Sequence, residues 1–247
     1  MVAAAPGRRC NAVLFDLDDT LVPTSQIDAE AIAGASALGA KRLGLGPQEA
    51  AGMAAAFVVL LGAKPFPPAG SAESIAVWRT RLWARALAPR GGGEPFAGEV
   101  HDSWSSARLA KFVLAPDVRA MVQRLQADGY RTGVVTNGHA EVQRAKAGAC
   151  DLRGLFGERV VVSGEQPECK PARSIFETSL ALIGARADET VMVGDRLDTD
   201  IQGGINAELL ATVWVRGDAP DPHEGAPRPT VTVGSVLELE RYLERLQ

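Results

Sequence analysis

The chain reads VLFDLDDTLV over residues 13–22, which is a short apolar strand that ends in a pair of acids. Asp16 and Asp18 are separated by a single residue, so the strand end delivers two carboxylates to the same crevice. One such group can act as a nucleophile and the other as an acid or base. Acids also cap helices and solvate turns, so the remaining polar signals in the chain decide the interpretation.

Three further polar signals each follow a strand-like run rich in valine. They are Thr136-Asn137-Gly138, Lys170 and Asp195. In an open parallel sheet, ligands bind beyond the carboxyl ends of the strands, so we expect these groups to meet the acid pair in space. The convergence of acids, a hydroxyl and a lysine predicts a catalytic site.

Size and composition narrow the class of protein. With 247 residues, of which 46% are hydrophobic and 23% charged, the chain reads as globular with a substantial core. A net charge of -4 argues against nucleic acid or an anionic membrane as the main partner, and no obligate protein partner is evident.

The cysteines and the apolar runs bear on the compartment. The three cysteines are odd in number and lack metal-ligand spacing, which favours a reducing compartment, and we expect the cytoplasm. The alanine-rich segment 1–9 is too short for a signal peptide, and the apolar run at 54–61 is too short to span a membrane.

From about residue 116 onward, apolar strands alternate with helical patterns. The spacing predicts helices over 117–129, over 140–149 and from Pro171, and strands over 130–135, 159–163, 190–194 and 211–215. Continuous apolar strands separated by helices predict an α/β fold with a parallel sheet covered on both faces.

The stretch over residues 23–115 has no strand signal and is rich in helix formers over 28–45 and 72–87. Breakers at 64–68 and 89–93 predict loops. The simplest architecture is a core built from residues 1–22 and 116–247, with residues 23–115 inserted as a helical cap. Trp78, Trp83 and Trp104 are expected in the core of this insertion.

The acid pair predicts a covalent route at a phosphorus centre. Asp16 can attack phosphorus beside a divalent cation and form an aspartyl-phosphate. Asp18 can protonate the leaving oxygen and later activate water. Thr20 and Asp19 are interpreted as residues that support the turn.

A second acidic segment supplies the expected metal site. Mg²⁺ takes oxygen ligands and is held by one or two carboxylates, which Asp16 and Asp195 can provide. We interpret Asp200 as a supporting residue that contacts a metal-bound water or a lysine. Asp198 is expected only to complement a helix dipole.

The remaining signals are suited to phosphate. Thr136 offers a hydroxyl, and Asn137 and Gly138 offer backbone amides. Lys170 can neutralise both the nucleophile and the transferred phosphoryl group.

The chain resembles the haloacid dehalogenase-like hydrolases in four segments, which follow in this order over residues 16–200: DLDDTL, TNG, CKP and VGDRLDTD. The resemblance implies a Rossmann-like core with a helical cap inserted after the first strand. It also implies Mg²⁺ as cofactor, Asp16 as nucleophile, Asp18 as acid/base, Thr136 and Lys170 on phosphate and Asp195 on the metal. The backbone carbonyl of Asp18 is implied as a further metal ligand.

Within that family, residues 163–166, 170–171, 174–176, 191–206 and 211–214 resemble the branch that hydrolyses N-acylneuraminate 9-phosphates. The expected activity is therefore hydrolysis of N-acetylneuraminate 9-phosphate, a step of sialic acid biosynthesis within carbohydrate metabolism. His139 and Arg196 stand where this branch is expected to carry an acid and a small polar residue.

Three alternatives remain open. The first is a phosphatase of the same fold for another small sugar or acid phosphate, such as phosphoglycolate. The second is a dehalogenase, which needs neither a metal nor an acid/base at Asp18. The third is a catalytically idle binding scaffold, against which the intact Asp16, Asp18, Lys170 and Asp195 argue.

Overall fold

A computed structural model describes residues 10–63, 66–67 and 73–246. Three parts of the chain that the sequence analysis mentions lie outside these residues. They are the segment 1–9, most of the loop expected at 64–68, and residue 72, where a helical segment was expected to begin. The chain divides into two compact units. The insertion unit is Thr24–Phe112, and the α/β unit comprises the described residues up to Pro23 and from Val113 onward.

The α/β unit is built on a six-stranded sheet in which every pairing is parallel. Its strands are β1 (Ala12–Phe15), β2 (Arg131–Thr136), β3 (Val160–Val162), β4 (Thr190–Gly194), β5 (Ala211–Val215) and β6 (Val231–Val233), in the order β3-β2-β1-β4-β5-β6. This topology confirms the expected Rossmann-like α/β class. Because the direction of winding changes at β1, the crevice at its carboxyl end is where a ligand is expected.

The strand register brings three strand ends to nearly the same level. Phe15, the last residue of β1, pairs with Val134 of β2 on one side and with Val193 of β4 on the other. The backbone N–H of Asp16 continues this pairing and donates to Val193 O at 2.8 Å. The residues that follow β1, β2 and β4 are therefore neighbours.

The insertion unit is helical. Its helices are α1 (Thr24–Arg42), α2 (Pro47–Ala63), α3 (Ile75–Leu87) and α4 (Gly93–Lys111). Phe57 stacks on Trp83 with ring centroids 3.8 Å apart, and Trp104 meets Phe57 edge-on at 5.3 Å. These rings are buried, as is Trp78, so the expectation that the three tryptophans form a core is confirmed.

The helices of the α/β unit are α5 (Pro116–Ala127), α6 (Ala140–Ala149), α7 (Leu152–Phe156), α8 (Arg173–Ile183), α9 (Gln202–Asn206) and α10 (Leu239–Leu243). The expectation that a helix begins at Pro171 was wrong by two residues. Ala172 is extended, with ψ 139°, and α8 begins at Arg173; the Lys170–Pro171 peptide bond is cis. Nor does a regular α-helix follow Asp195, because Leu197–Ile201 forms a wide π-turn before α9.

No helix within the described residues is both long enough and apolar enough to cross a membrane.

Candidate active site

Lys170 lies at the centre of the site. Its Nζ donates to Asp16 Oδ1 at 2.6 Å, to Asp200 Oδ1 at 2.7 Å and to Val135 O at 2.8 Å. The ammonium is completely buried, and these three acceptors use its three protons. Lys170 is therefore a built part of the crevice, and the contact between Asp200 and a lysine that the sequence suggested is present.

Asn137 holds the backbone of Lys170. Its Nδ2 donates to Lys170 O, and its Oδ1 accepts from Lys170 N, both at 2.9 Å. The side chain thus fastens the loop before α8 to the end of β2. Gly138 N donates to Ser163 Oγ at 2.9 Å, so this amide has an acceptor within the protein, and its contact with phosphate stays a prediction.

Three carboxylates converge beside Lys170. Oxygen atoms of Asp16, Asp195 and Asp200 lie within 4.8 Å of one another. Asp200 is oriented by Arg196 N, which donates to its Oδ2 at 3.0 Å. Its close approach requires glycine at position 194, since a Cβ there would lie 2.3 Å from Asp200 Oδ2.

Asp195 is fixed through its backbone. Trp214, at the end of the neighbouring strand β5, donates its indole N–H to Asp195 O at 2.8 Å. The sequence analysis did not identify this contact, although Trp214 follows the same rule of polar groups at strand ends. The side chain of Asp195 remains half-buried and lines the crevice.

The charges at this site do not balance. Burial raises the pKa of Asp195 to about 7, and the nearby Asp200 and Asp19 add to the effect. Burial also raises the pKa of Asp16, with Asp200 and Asp18 adding to the shift and Lys170 opposing it. One ammonium among three carboxylates leaves an excess of negative charge, and this donor set suits a hard divalent cation.

Asp18 is held by helix α6. Lys146 Nζ donates to Asp18 Oδ1 at 2.6 Å, and Gln143 Nε2 donates to Asp18 Oδ2 at 2.8 Å. Gln143 Nε2 also reaches Thr136 Oγ1 at 2.6 Å. Sequence reasoning missed both Gln143 and Lys146. The available signal was their spacing of three residues on a helix that directly follows the T-N-G segment.

The segment after Asp18 is a tight turn. Asp19 has a φ of +58°, and its N–H donates to Val22 O at 2.7 Å. Thr20 is buried within this turn, and its Oγ1 makes no hydrogen bond within the described part of the chain. Asp198 lies apart from the carboxylate cluster and pairs with Arg196 at 3.0 Å on the surface.

A cleft of about 380 Å³ opens onto these groups. It is lined by Asp16, Asp18, Asp19, Asn137, Lys170, Asp195, Arg196 and Thr199. The cleft lies entirely within the α/β unit. The structure thus brings together acids, an asparagine and a lysine from four separate segments of the sequence.

The fold and this arrangement place the chain in a known class. The family model for haloacid dehalogenase-like hydrolases matches residues 10–208, and the chain belongs to this family. Among curated proteins, the human N-acylneuraminate-9-phosphatase is 38% identical over 241 residues, which cover 96% of this chain and 95% of that protein. The mouse enzyme is 37% identical over the same shares.

Other relatives have names that specify different substrates. The phosphoserine phosphatase of Thermus thermophilus is 31% identical over 68% of this chain and 67% of its own. Among solved structures, the magnesium-bound HAD-hydrolase YfnB from Bacillus subtilis matches with a TM-score of 0.67 at 22% identity, covering 95% of this chain and 99% of that chain. The structural match supports the fold, and the sequence relatives identify the chain as a phosphomonoesterase.

Proposed function

We propose that this chain is a Mg²⁺-dependent phosphomonoesterase that acts through an aspartyl-phosphate on Asp16 and hydrolyses N-acetylneuraminate 9-phosphate. The observation that carries the chemistry is the convergence of Asp16, Asp195 and Asp200 around the buried Lys170. Support for the substrate comes from the similarity to N-acylneuraminate-9-phosphatases, which extends over 96% of the chain and so includes the insertion unit.

The residues that would hold Mg²⁺ are Asp16 and Asp195, with the backbone carbonyl of Asp18 that the family resemblance implies. Asp200 adjoins them and is bonded to Lys170 at 2.7 Å. When bound, Mg²⁺ neutralises negative charge on the nucleophile and on the phosphoryl oxygens.

In the first step, a carboxylate oxygen of Asp16 attacks phosphorus and forms a new P–O bond. The ester P–O bond breaks, and its electron pair goes to the leaving oxygen, which takes a proton from Asp18. In the second step, Asp18 takes a proton from water as the water oxygen attacks phosphorus. The acyl phosphate bond breaks, and Asp16 is regenerated together with inorganic phosphate.

The phosphoryl group would be bound by the hydroxyl of Thr136, the backbone amide of Asn137 and the charge of Lys170. Lys170 also fixes the orientation of Asp16 through their 2.6 Å hydrogen bond. We assign Asn137 a second task, because its side chain holds the Lys170 backbone. Gly138 contributes through its bond to Ser163, which joins the ends of β2 and β3.

We propose the cytoplasm as the compartment. Cys10, Cys150 and Cys169 are free thiols, which fits a reducing environment.

A phosphatase with another small substrate is the second candidate. It is favoured by relatives whose names specify other substrates, such as phosphoserine, over 68% of this chain. The site chemistry would be the same in both cases, so only a comparison of substrates separates them.

The test is a Mg²⁺-supported phosphate-release assay with a panel of substrates. The panel contains N-acetylneuraminate 9-phosphate, hexose 6-phosphates, phosphoglycolate and phosphoserine, with Asp16→Asn as the inactive control. We expect the highest kcat/KM for N-acetylneuraminate 9-phosphate. A higher kcat/KM for another phosphate would support the proposed mechanism but show that the substrate is a different compound. An absence of Mg²⁺-dependent phosphate release from every compound would refute the proposal.

A further inference from the structure

Helix α6 presents two buried polar side chains to a single carboxylate. Gln143 is 2% exposed and Lys146 is 5% exposed, although both residue types normally lie at the surface. Burial of an ammonium or an amide costs free energy unless each is hydrogen-bonded. Both side chains donate to Asp18, one to each of its oxygens, at 2.8 and 2.6 Å.

Gln143 also connects Asp18 with the opposite side of the crevice. Its Nε2 lies 2.6 Å from Thr136 Oγ1 and 3.1 Å from Asn137 O, both at the end of β2. A single amide group thus joins the expected acid/base to the hydroxyl expected on the phosphate. Such a network fixes the separation of the groups that it connects.

We propose that Gln143 and Lys146 are positioning residues that hold Asp18 in place for proton transfer to and from the reacting oxygens. This inference rests on the proposed function, in which Asp18 is the acid/base. A general acid must lie within hydrogen-bond reach of the leaving oxygen, and a displacement of about 1 Å can cost about 10²-fold in rate. A carboxylate tethered through both oxygens has little freedom to move away.

If the proposal is right, the fall in the rate of phosphoryl transfer caused by substituting Gln143 or Lys146 depends on the leaving group of the substrate. When the ester bond breaks to Asp16, the electron pair goes to the leaving oxygen, and an alkoxide needs the proton of Asp18 at that moment. A p-nitrophenolate is a weak base and leaves without it. A misplaced Asp18 should therefore slow transfer from benzyl phosphate and spare transfer from p-nitrophenyl phosphate, which is similar in size.

The experiment compares Gln143→Met and Lys146→Met with two matched controls. Arg144→Met removes a cation from the same helix that pairs with the exposed Glu165. Gln126→Met removes a partly buried amide that bonds Thr132 and Leu155 O, away from Asp18. Rapid-quench measurements in Mg²⁺ give the rate of the first phosphoryl transfer for each substrate.

We expect Gln143→Met and Lys146→Met to lower the rate with benzyl phosphate by about 10²-fold, the lower end of what general acid catalysis contributes. The rate of the initial burst of p-nitrophenolate, which reports the first phosphoryl transfer, should change little. The steady-state rate that follows the burst should fall, because Asp18 must also activate the water that hydrolyses the aspartyl-phosphate. The two controls should keep the wild-type ratio of the two rates. Lys146→Arg, which retains a cation, should recover part of the loss.

Equal losses with both substrates would show a structural role and overturn the proposal. An unchanged ratio of the two rates in Gln143→Met and Lys146→Met would also overturn the proposal. So would a faster transfer from benzyl phosphate, which would mean that α6 holds Asp18 away from the substrate. Thermal melts check folding, and if Lys146→Met does not fold, Gln143→Met and Lys146→Arg decide the question. Failure of the proposed function would be seen separately, as an absence of Mg²⁺-dependent turnover in the wild-type protein.

Discussion

At the scale of single residues, the site combines charges that repel one another in the metal-free protein. Asp195 is the clearest case, because burial and neighbouring acids raise its pKa from 3.8 to about 7. The folded state therefore binds more protons than the unfolded state between these values, and the contribution of Asp195 to stability falls as the pH rises through this window.

We predict that Asp195→Asn stabilises the metal-free protein increasingly as the pH rises from about 4 to about 7, because the amide carries no charge to repel Asp200. The measurement is the difference in melting temperature between the variant and wild type, with a chelator present, at a series of pH values. Asp198→Asn, outside the cluster, is the control. A difference that shrank towards neutral pH would contradict this explanation.

Substrate discrimination also belongs to this scale. The insertion unit offers Arg79, Arg81, Arg85 and Arg108 as groups that could bind the carboxylate of a sugar acid. Arg108 is buried, pairs with Asp28 and lies over the rings of Trp104 and Phe112. Arg81 pairs with Glu73 at 2.6 Å, but its side chain is exposed and lines a cleft of about 400 Å³ between α3 and α4, so it is the candidate chosen for the test.

Truncation of this side chain, Arg81→Met, is predicted to lower kcat/KM for N-acetylneuraminate 9-phosphate by the equivalent of about 1.5–3 kcal/mol, as for a lost charge-assisted hydrogen bond. Hydrolysis of p-nitrophenyl phosphate, which lacks the carboxylate, should be unaffected. Arg42→Met, which removes another exposed arginine of the insertion unit, is the control. Parallel losses on both substrates would remove Arg81 from this role.

At the scale of elements, the sequence predicted β1 to β5 because each contains a continuous apolar run bounded by turn residues, but it gave no signal for β6, a three-residue V-T-V segment that is only partly buried. It missed α2, since the run at 54–61 has no helical period. Only Met53 and Phe57 of this helix are buried, and Val59 is 68% exposed. The sequence also gave no prediction for α4, and Gly92 and Gly93 were interpreted as a breaker, whereas Gly93 opens this helix.

The connection between β4 and the π-turn depends on close packing at Gly194. We predict that Gly194→Ala destabilises the protein by about 1–3 kcal/mol, as for other overpacked sites, and lowers kcat by displacing Asp200 from Lys170. Chemical denaturation and steady-state assays measure the two effects.

A helical glycine provides the control for Gly194→Ala. At Gly34 of α1 a new Cβ meets nothing within 4 Å, so Gly34→Ala should be neutral or stabilising by about 0.5–1 kcal/mol. If Gly194→Ala proved as harmless, the packing account of Asp200 would be wrong.

At the scale of the whole molecule, the rule that ligands bind beyond parallel strand ends was enough to predict from the sequence that these distant motifs meet at one site. It could not identify Gln143 or Lys146, because both lie on a helix face whose burial depends on the tertiary structure. It also could not show that Lys170 is buried, since a lysine in a loop is normally solvated.

The excess of carboxylates predicts the behaviour of the whole enzyme towards divalent ions. Mg²⁺ should support turnover, and Ca²⁺ should compete without supporting it. Ca²⁺ prefers 6–8 ligands at about 2.3–2.6 Å, so the second oxygen of Asp16 would be drawn onto the ion instead of attacking phosphorus. Melting temperatures should rise with either ion, which separates binding from activity; full activity in Ca²⁺ alone would rule out this description.

The central claim is that phosphate passes through Asp16, and the most direct test is to locate the covalent intermediate. The protein is quenched in acid during turnover, the acyl phosphate is reduced with borohydride, and the modified peptide is identified by mass spectrometry. Modification should map to Asp16, require Mg²⁺ and substrate, and disappear in a folded but inactive Asp16→Asn variant. Modification of a different residue, or undiminished turnover by Asp16→Asn, would contradict the claim.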